Sequence, residues 1–95
     1  MHVQIVKFTL KPGTSREAFL DLTEQMIAWL KGKDGFVAYE LYEGSKCWFD
    51  RIAWESEKHT HDGLNAFQET AIAKQMIPLV ESDYSSLFGE AVASA

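Results

Sequence analysis

From His2 to Leu10 the chain is β-rich and apolar at Val3, Ile5, Val6, Phe8 and Leu10, and Pro12-Gly13 then ends the run. A first strand followed by a turn is predicted. Phe19, Leu22, Met26 and Leu30 recur at helical intervals behind a Thr14/Glu17 capping box, which predicts a helix over about Ser15 to Lys31. Lys31 suits the negative end of the helix dipole, and Gly32 offers a left-handed cap. Phe36 to Glu43 and Cys47 to Trp54 are rich in aromatic and β-branched residues, so they read as a hairpin with Gly44-Ser45 as a type II′ turn. Ser56 caps a second helix whose face runs through Leu64, Phe67, Ala71, Gln75 and Leu79. Pro78 should kink or end that helix near Ile77, and Gly63 weakens its first half. Tyr84 to Val92 completes the pattern as a last strand.

The order is strand, helix, strand, strand, helix, strand: an α+β, ferredoxin-like βαββαβ domain with a four-stranded antiparallel sheet and two helices on one face. With Gly44 and Ser45 as the loop, Leu41 faces Trp48, Tyr39 faces Asp50 and Val37 faces Ile52. The opposite face then carries Phe36, Tyr42 and Phe49, with Glu40 and Arg51 on diagonal positions as an interface ion pair or an anion-orienting pair. Leaving three large apolar side chains in water forfeits roughly 1.5 to 3 kcal/mol each, too much for a small domain. A second copy of the chain, packed sheet to sheet, is the expected cover.

Composition narrows the picture. The 95 residues are read as a single domain spanning 1–95, and the 46% hydrophobic content supports a globular core. Such a chain buries only roughly two-thirds of its unfolded surface, which makes a partner subunit valuable. The single cysteine, Cys47, excludes an intrachain disulfide and a thiolate zinc cluster, has no recognisable activating neighbour, and points to a reducing compartment. A net charge of −5, with nine Lys and Arg scattered along the chain, argues against nucleic acid. No apolar run is long enough for a membrane span and no leader pattern opens the chain, so a cytoplasmic protein is expected. Three Trp, three Tyr and six Phe suit a shared interface or a small-molecule cavity as well as a core.

The element order, with the strand-to-helix passage Arg51-Ile52-Ala53-Trp54-Glu55-Ser56-Glu57, resembles the antibiotic biosynthesis monooxygenase-like family of the dimeric α+β barrel superfamily. The resemblance implies a barrel of two sheets from two subunits. It also implies a choice of activities: cofactor-free oxygenation of polycyclic aromatics, haem degradation or quinol oxygenation. In the cofactor-free branch the Trp shares its pocket with a polar residue two strand steps earlier and with polar residues on the second helix. By position these are Trp54 and Asp50, then the region of Thr60 and Lys74. The family pattern has an amide where Asp50 stands, a tyrosine near Thr60 and an arginine near Lys74. The haem-degrading pattern falls on Gln4, Gly63 and Ala73, none of which matches, so haem breakdown is disfavoured.

Tyr39, Asp50 and Trp54 share a predicted face, with His59 and His61 close by. A carboxylate beside a tyrosine, or a nearby histidine, abstracts a proton from a phenol or hydroquinone and activates it toward oxygen. The plainer alternative is that Asp50 simply accepts a hydrogen bond from Tyr39. His59 and His61 are two residues apart, which is awkward for joint metal ligation on a helix, and no metal or other cofactor is expected. The candidate set is therefore Asp50, His59 and His61 for catalysis, with Tyr39, Trp54 and Lys74 holding a small aromatic ligand. The competing expectation is a homodimer of the same fold that binds a small ligand without turnover, or is purely structural.

Overall fold

The computed structural model describes all 95 residues, Met1–Ala95. Strands β1 (His2–Phe8), β2 (Phe36–Glu43), β3 (Trp48–Trp54) and β4 (Ser85–Glu90) form one antiparallel sheet in the order β2-β3-β1-β4. Helices α1 (Arg16–Lys31), α2 (Glu57–Gln68) and α3 (Ala71–Met76) complete the ferredoxin-like arrangement, and a 3-10 turn at Ile77–Leu79 follows α3. No helix is long and apolar enough to cross a membrane.

Local chemistry sets the element ends. Gly13 has φ 84°, and the Thr14 N–H donates to the Lys11 carbonyl at 3.1 Å, so Pro12-Gly13 makes the tight turn that its residue types favour. Ser15, rather than the expected Thr14, caps α1 by accepting from the Ala18 N–H. At the far end Gly32 sits at φ −90°, and the left-handed glycine is Gly35 at φ 80°. Ser56 caps α2 as its type predicts. The single long second helix expected through Leu79 is broken earlier: it stops at Gln68, and Thr70 accepts from the Ala73 N–H to start α3. Pro78 then lies in the 3-10 turn, where its missing N–H does no harm.

The hairpin differs from expectation in two ways. Gly44 does not take a positive φ; its N–H donates to the Cys47 carbonyl at 2.9 Å, and a Cβ on it would collide with that same carbonyl. The glycine therefore serves a close cross-strand approach, and the reversal falls on Ser45-Lys46. From Ala38 to Glu43 the pairing slides by two, so Tyr39 stands opposite Ile52 and Asp50 opposite Leu41, while Glu40 and Arg51 become direct partners at 3.0 Å. A slide of two leaves each side chain on its expected face. The second difference is a bulge between Phe36 and Ala38, where one extra residue reverses the local alternation. Phe36 turns under the helices, edge-on to Trp54 at 5.8 Å, and Val37 takes its place outside.

Met26, Leu30 and Trp54 form the buried centre, flanked by Trp29, Phe36, Ile52 and Phe67. A second aromatic cluster, Phe8, Phe19 and Trp48, fills the other end of the sheet. Gly63 allows α2 to lie on the sheet, since a Cβ there would overlap the six-membered ring of Trp54. That indole is buried and cannot swing aside. Gly63→Ala should therefore lose about 1 to 3 kcal/mol of stability by overpacking, despite the better helix propensity of alanine. Urea unfolding checks this, and an unchanged midpoint would show that the ring is free to move.

Candidate functional site

Beneath the helices lies an aromatic cavity of about 470 Å3, a size typical of small-molecule sites. Its floor is the covered face of the sheet, with Gln4 and Val6 from β1, Tyr39 from β2, and Asp50, Ile52 and Trp54 from β3. Met26, Trp29 and Leu30 of α1 form one wall, and Leu64 and Phe67 of α2 another. The segment after α3 closes the side: the Lys11 N–H donates to Leu79 at 2.8 Å, the Glu81 N–H to Thr9 at 2.9 Å, and Leu10 bridges Val80. These bonds place Ile77, Pro78 and Tyr84 at the cavity edge.

Within this apolar enclosure the Tyr39 hydroxyl donates to Asp50 Oδ2 at 3.0 Å. Asp50 Oδ1 is buried and has no hydrogen-bond partner in the chain. Burial pushes the Asp50 carboxyl up to about 6, outweighing the Tyr39 hydroxyl and the Val6 backbone, which both pull the other way. The Tyr39 phenol is itself held far above its ordinary range by burial, reinforced by the adjacent carboxylate. Tyr39 is thus a hydrogen-bond donor, and Asp50 is a carboxylate poised to change charge near neutral pH.

Of the six residues singled out in the sequence, the fold brings Tyr39, Asp50 and Trp54 to this cavity and leaves three elsewhere. His59 lies behind Trp54 in a separate charged cleft, bonded through Nδ1 to Ser56 Oγ at 2.7 Å and facing Asp34 through Nε2 at 3.4 Å. Trp54 lines both spaces and stands between His59 and the aromatic cavity. His61 is exposed, pairs with Glu57 at 3.6 Å and approaches His2 and Phe88. Lys74 is exposed on α3 and is not among the cavity residues. Thr60 is fully buried, 2.6 Å from His2 Nδ1, tying α2 to β1. The chain contains no cluster of three or more His, Cys, Asp or Glu able to hold a metal.

Gln4, which in the sequence stands only as a mismatch to the haem pattern, also lines this cavity. Its signal was present: Gln4, Val6 and Phe8 share one strand face, so a polar residue there points into the core.

This sheet topology with helices on one face is that of ferredoxin-like α+β proteins. The sequence matches no family model and no curated protein. Among solved structures, it superposes on SnoaB, a cofactor-independent oxygenase from Streptomyces nogalater, with TM-score 0.83 and 14% identity over 98% of this chain and 94% of that one. Rv0793 from Mycobacterium tuberculosis gives TM-score 0.80 and 19% identity over 99% and 97%. The ActVA-Orf6 monooxygenase of Streptomyces coelicolor, solved with nanaomycin D, gives 0.77 and 16% over 99% and 89%. The fold is the one found in antibiotic biosynthesis monooxygenases.

Ionised Asp50 carries a stability cost. Its folded value near 6 exceeds the ordinary 3.8, so the cost of about 3 kcal/mol is complete above the folded value and vanishes below the ordinary one. Asp50→Asn keeps an acceptor for Tyr39 without the charge. The variant should melt several degrees above the wild type at pH 8, with the gap closing as pH falls to 4; a gap independent of pH would contradict a buried carboxylate.

Proposed function

We propose that this protein is a cofactor-independent monooxygenase of a phenolic or quinol-type aromatic, with Asp50 as the general base. The observation that carries this reading is the unpartnered Oδ1 of a buried carboxylate in the floor of an aromatic cavity. The shared fold with SnoaB and ActVA-Orf6 supports it. Ionised Asp50 accepts the proton of a substrate hydroxyl, and the resulting phenolate is electron-rich enough to reduce dioxygen. For a hydroquinone, one oxygen atom replaces a ring C–H as C–OH, the ring leaves at the quinone level, and the second oxygen departs as water. The substrate supplies all four electrons, so the reaction balances without an external reductant.

Tyr39 steadies the carboxylate, and Trp29, Trp54 and Phe67 hold the flat ring and exclude water. His59 and His61 have no part in this scheme, because neither reaches the cavity, and Lys74 does not touch the substrate.

Oxygen-electrode assays against hydroquinones and polyphenols test the reading. Turnover should fall at least about 100-fold in Asp50→Asn, the scale of a lost general base. Wild-type kcat/KM should rise with pH to a plateau with an inflection at about 6, and Tyr39→Phe should move that inflection upward by removing the bond that favours the ionised form. Oxygen consumption that persists undiminished in Asp50→Asn would assign the base elsewhere.

The same reading places a second copy of the chain on the uncovered sheet face. Tyr42 and Phe49 stack there with ring centroids 5.0 Å apart while 45% and 40% exposed, and Ile5, Val37 and Leu87 extend the apolar surface around them. The Glu40–Arg51 pair in its midst limits how two such faces register. Sedimentation should give twice the 10.8 kDa chain mass for the wild type and a monomer for Phe49→Asp. A monomeric wild type at micromolar concentration would remove the dimer from the scheme.

A further inference from the structure

The charges around the aromatic cavity are segregated. Asp50 lies in its floor, and Lys11, exposed at its mouth, is the only cationic side chain that lines it. The Lys11 backbone is pinned on both sides: its N–H donates to the Leu79 carbonyl at 2.8 Å, and its own carbonyl accepts from the Thr14 N–H at 3.1 Å. The side chain therefore springs from a fixed point, where the chain leaving β1 meets the segment after α3. Its ammonium makes no ion pair within the chain, although Glu81 is held on the same segment by its own backbone bond to Thr9. Ser82 and Gln68, also exposed and lining the cavity, add neutral donors to the rim.

A free cation beside an apolar opening acts on what enters. The low-dielectric wall screens its field less than open solvent would. An anion entering charge-first would lose its hydration and approach the Asp50 carboxylate, both of which are unfavourable. The favourable orientation puts an apolar body inside and the negative charge at the mouth. We propose that Lys11 forms a carboxylate subsite there, and that the ligand is an aromatic acid whose ring fills the cavity while its carboxylate rests on the Lys11 ammonium. This rests on the cavity being the aromatic site argued above, and it narrows the ligand from any phenol or quinol to one bearing an acidic substituent.

The test is anaerobic equilibrium dialysis at pH 7.5 with 2-naphthoate and 2-naphthamide, which share a shape and differ in charge. In low salt the wild type should bind 2-naphthoate about fivefold more tightly than 2-naphthamide, the upper scale of a partly exposed ion pair. In 0.5 M NaCl the two should converge. Lys11→Gln should bring the ratio to one or below with 2-naphthamide affinity kept, Lys11→Arg should retain the preference, and Lys11→Glu should turn it toward 2-naphthylmethylammonium. Because the side chain is exposed and unpaired, these variants should keep the wild-type urea midpoint. Equal affinities in the wild type, or a preference that survives in Lys11→Gln, would overturn the subsite while leaving the aromatic cavity standing. An acid preference in a protein that consumes no oxygen with any phenol would leave Lys11 in its role and sink only the oxygenase reading. Failure of both naphthalenes to bind would overturn both.

Discussion

The indole of Trp54 is the contact on which the architecture turns. It is 2% exposed, meets Phe36 edge-on, packs on Met26 and Leu30 of α1, and lies against the bare backbone of Gly63 in α2. One side chain thereby joins the last residue of β3 to both long helices. It is also a partition, with the aromatic cavity on one side and the charged cleft of Lys33, Lys58 and His59 on the other. The chemistry available to the cavity follows from that partition: it receives the carboxylate of Asp50 and is denied the imidazole of His59.

A buried carboxylate with a free oxygen is unfavourable in a domain of this size, and the surroundings show how it is tolerated. The Tyr39 hydroxyl meets one oxygen, and paired strands anchor both residues. Ionisation of this carboxyl opposes folding as pH rises, in keeping with the general opposition between a desolvated polar group and a stable core. Gln4 repeats the pattern on the neighbouring strand. Two polar groups thus share one covered sheet face, each with an acceptor that the chain does not pair.

The uncovered face obeys a different rule. Tyr42, Phe49, Ile5, Val37 and Leu87 are apolar and exposed, while Glu40 and Arg51 neutralise one another among them. The bulge at Val37 strengthens the contrast, since it exchanges a buried Phe36 for an outward valine and completes the cavity-side core without emptying the outer surface. The two faces of a thin sheet thus differ, one lining an aromatic cavity and the other offering a broad apolar plane.

By itself the sequence determined the order of the elements, the single αβ layer pair and the membership of Tyr39, Asp50 and Trp54 in one face. These are consequences of period: helical spacing marks α1, and alternation by two assigns strand faces so firmly that a two-residue slide of the hairpin left them unchanged. Only the tertiary structure decided the rest. The turn at Ser45-Lys46 depends on a close approach between Gly44 and Cys47, and the Phe36/Val37 exchange depends on a bulge, neither of which has a local periodic signal. The separation of His59 and His61 from the cavity depends on how α2 is rotated against Trp54, and Gln4 reaches the cavity because β1 is seated in the centre of the sheet beside β3. Periodicity tells which way a residue points along its own element; what lies there is set by packing between elements far apart in the chain.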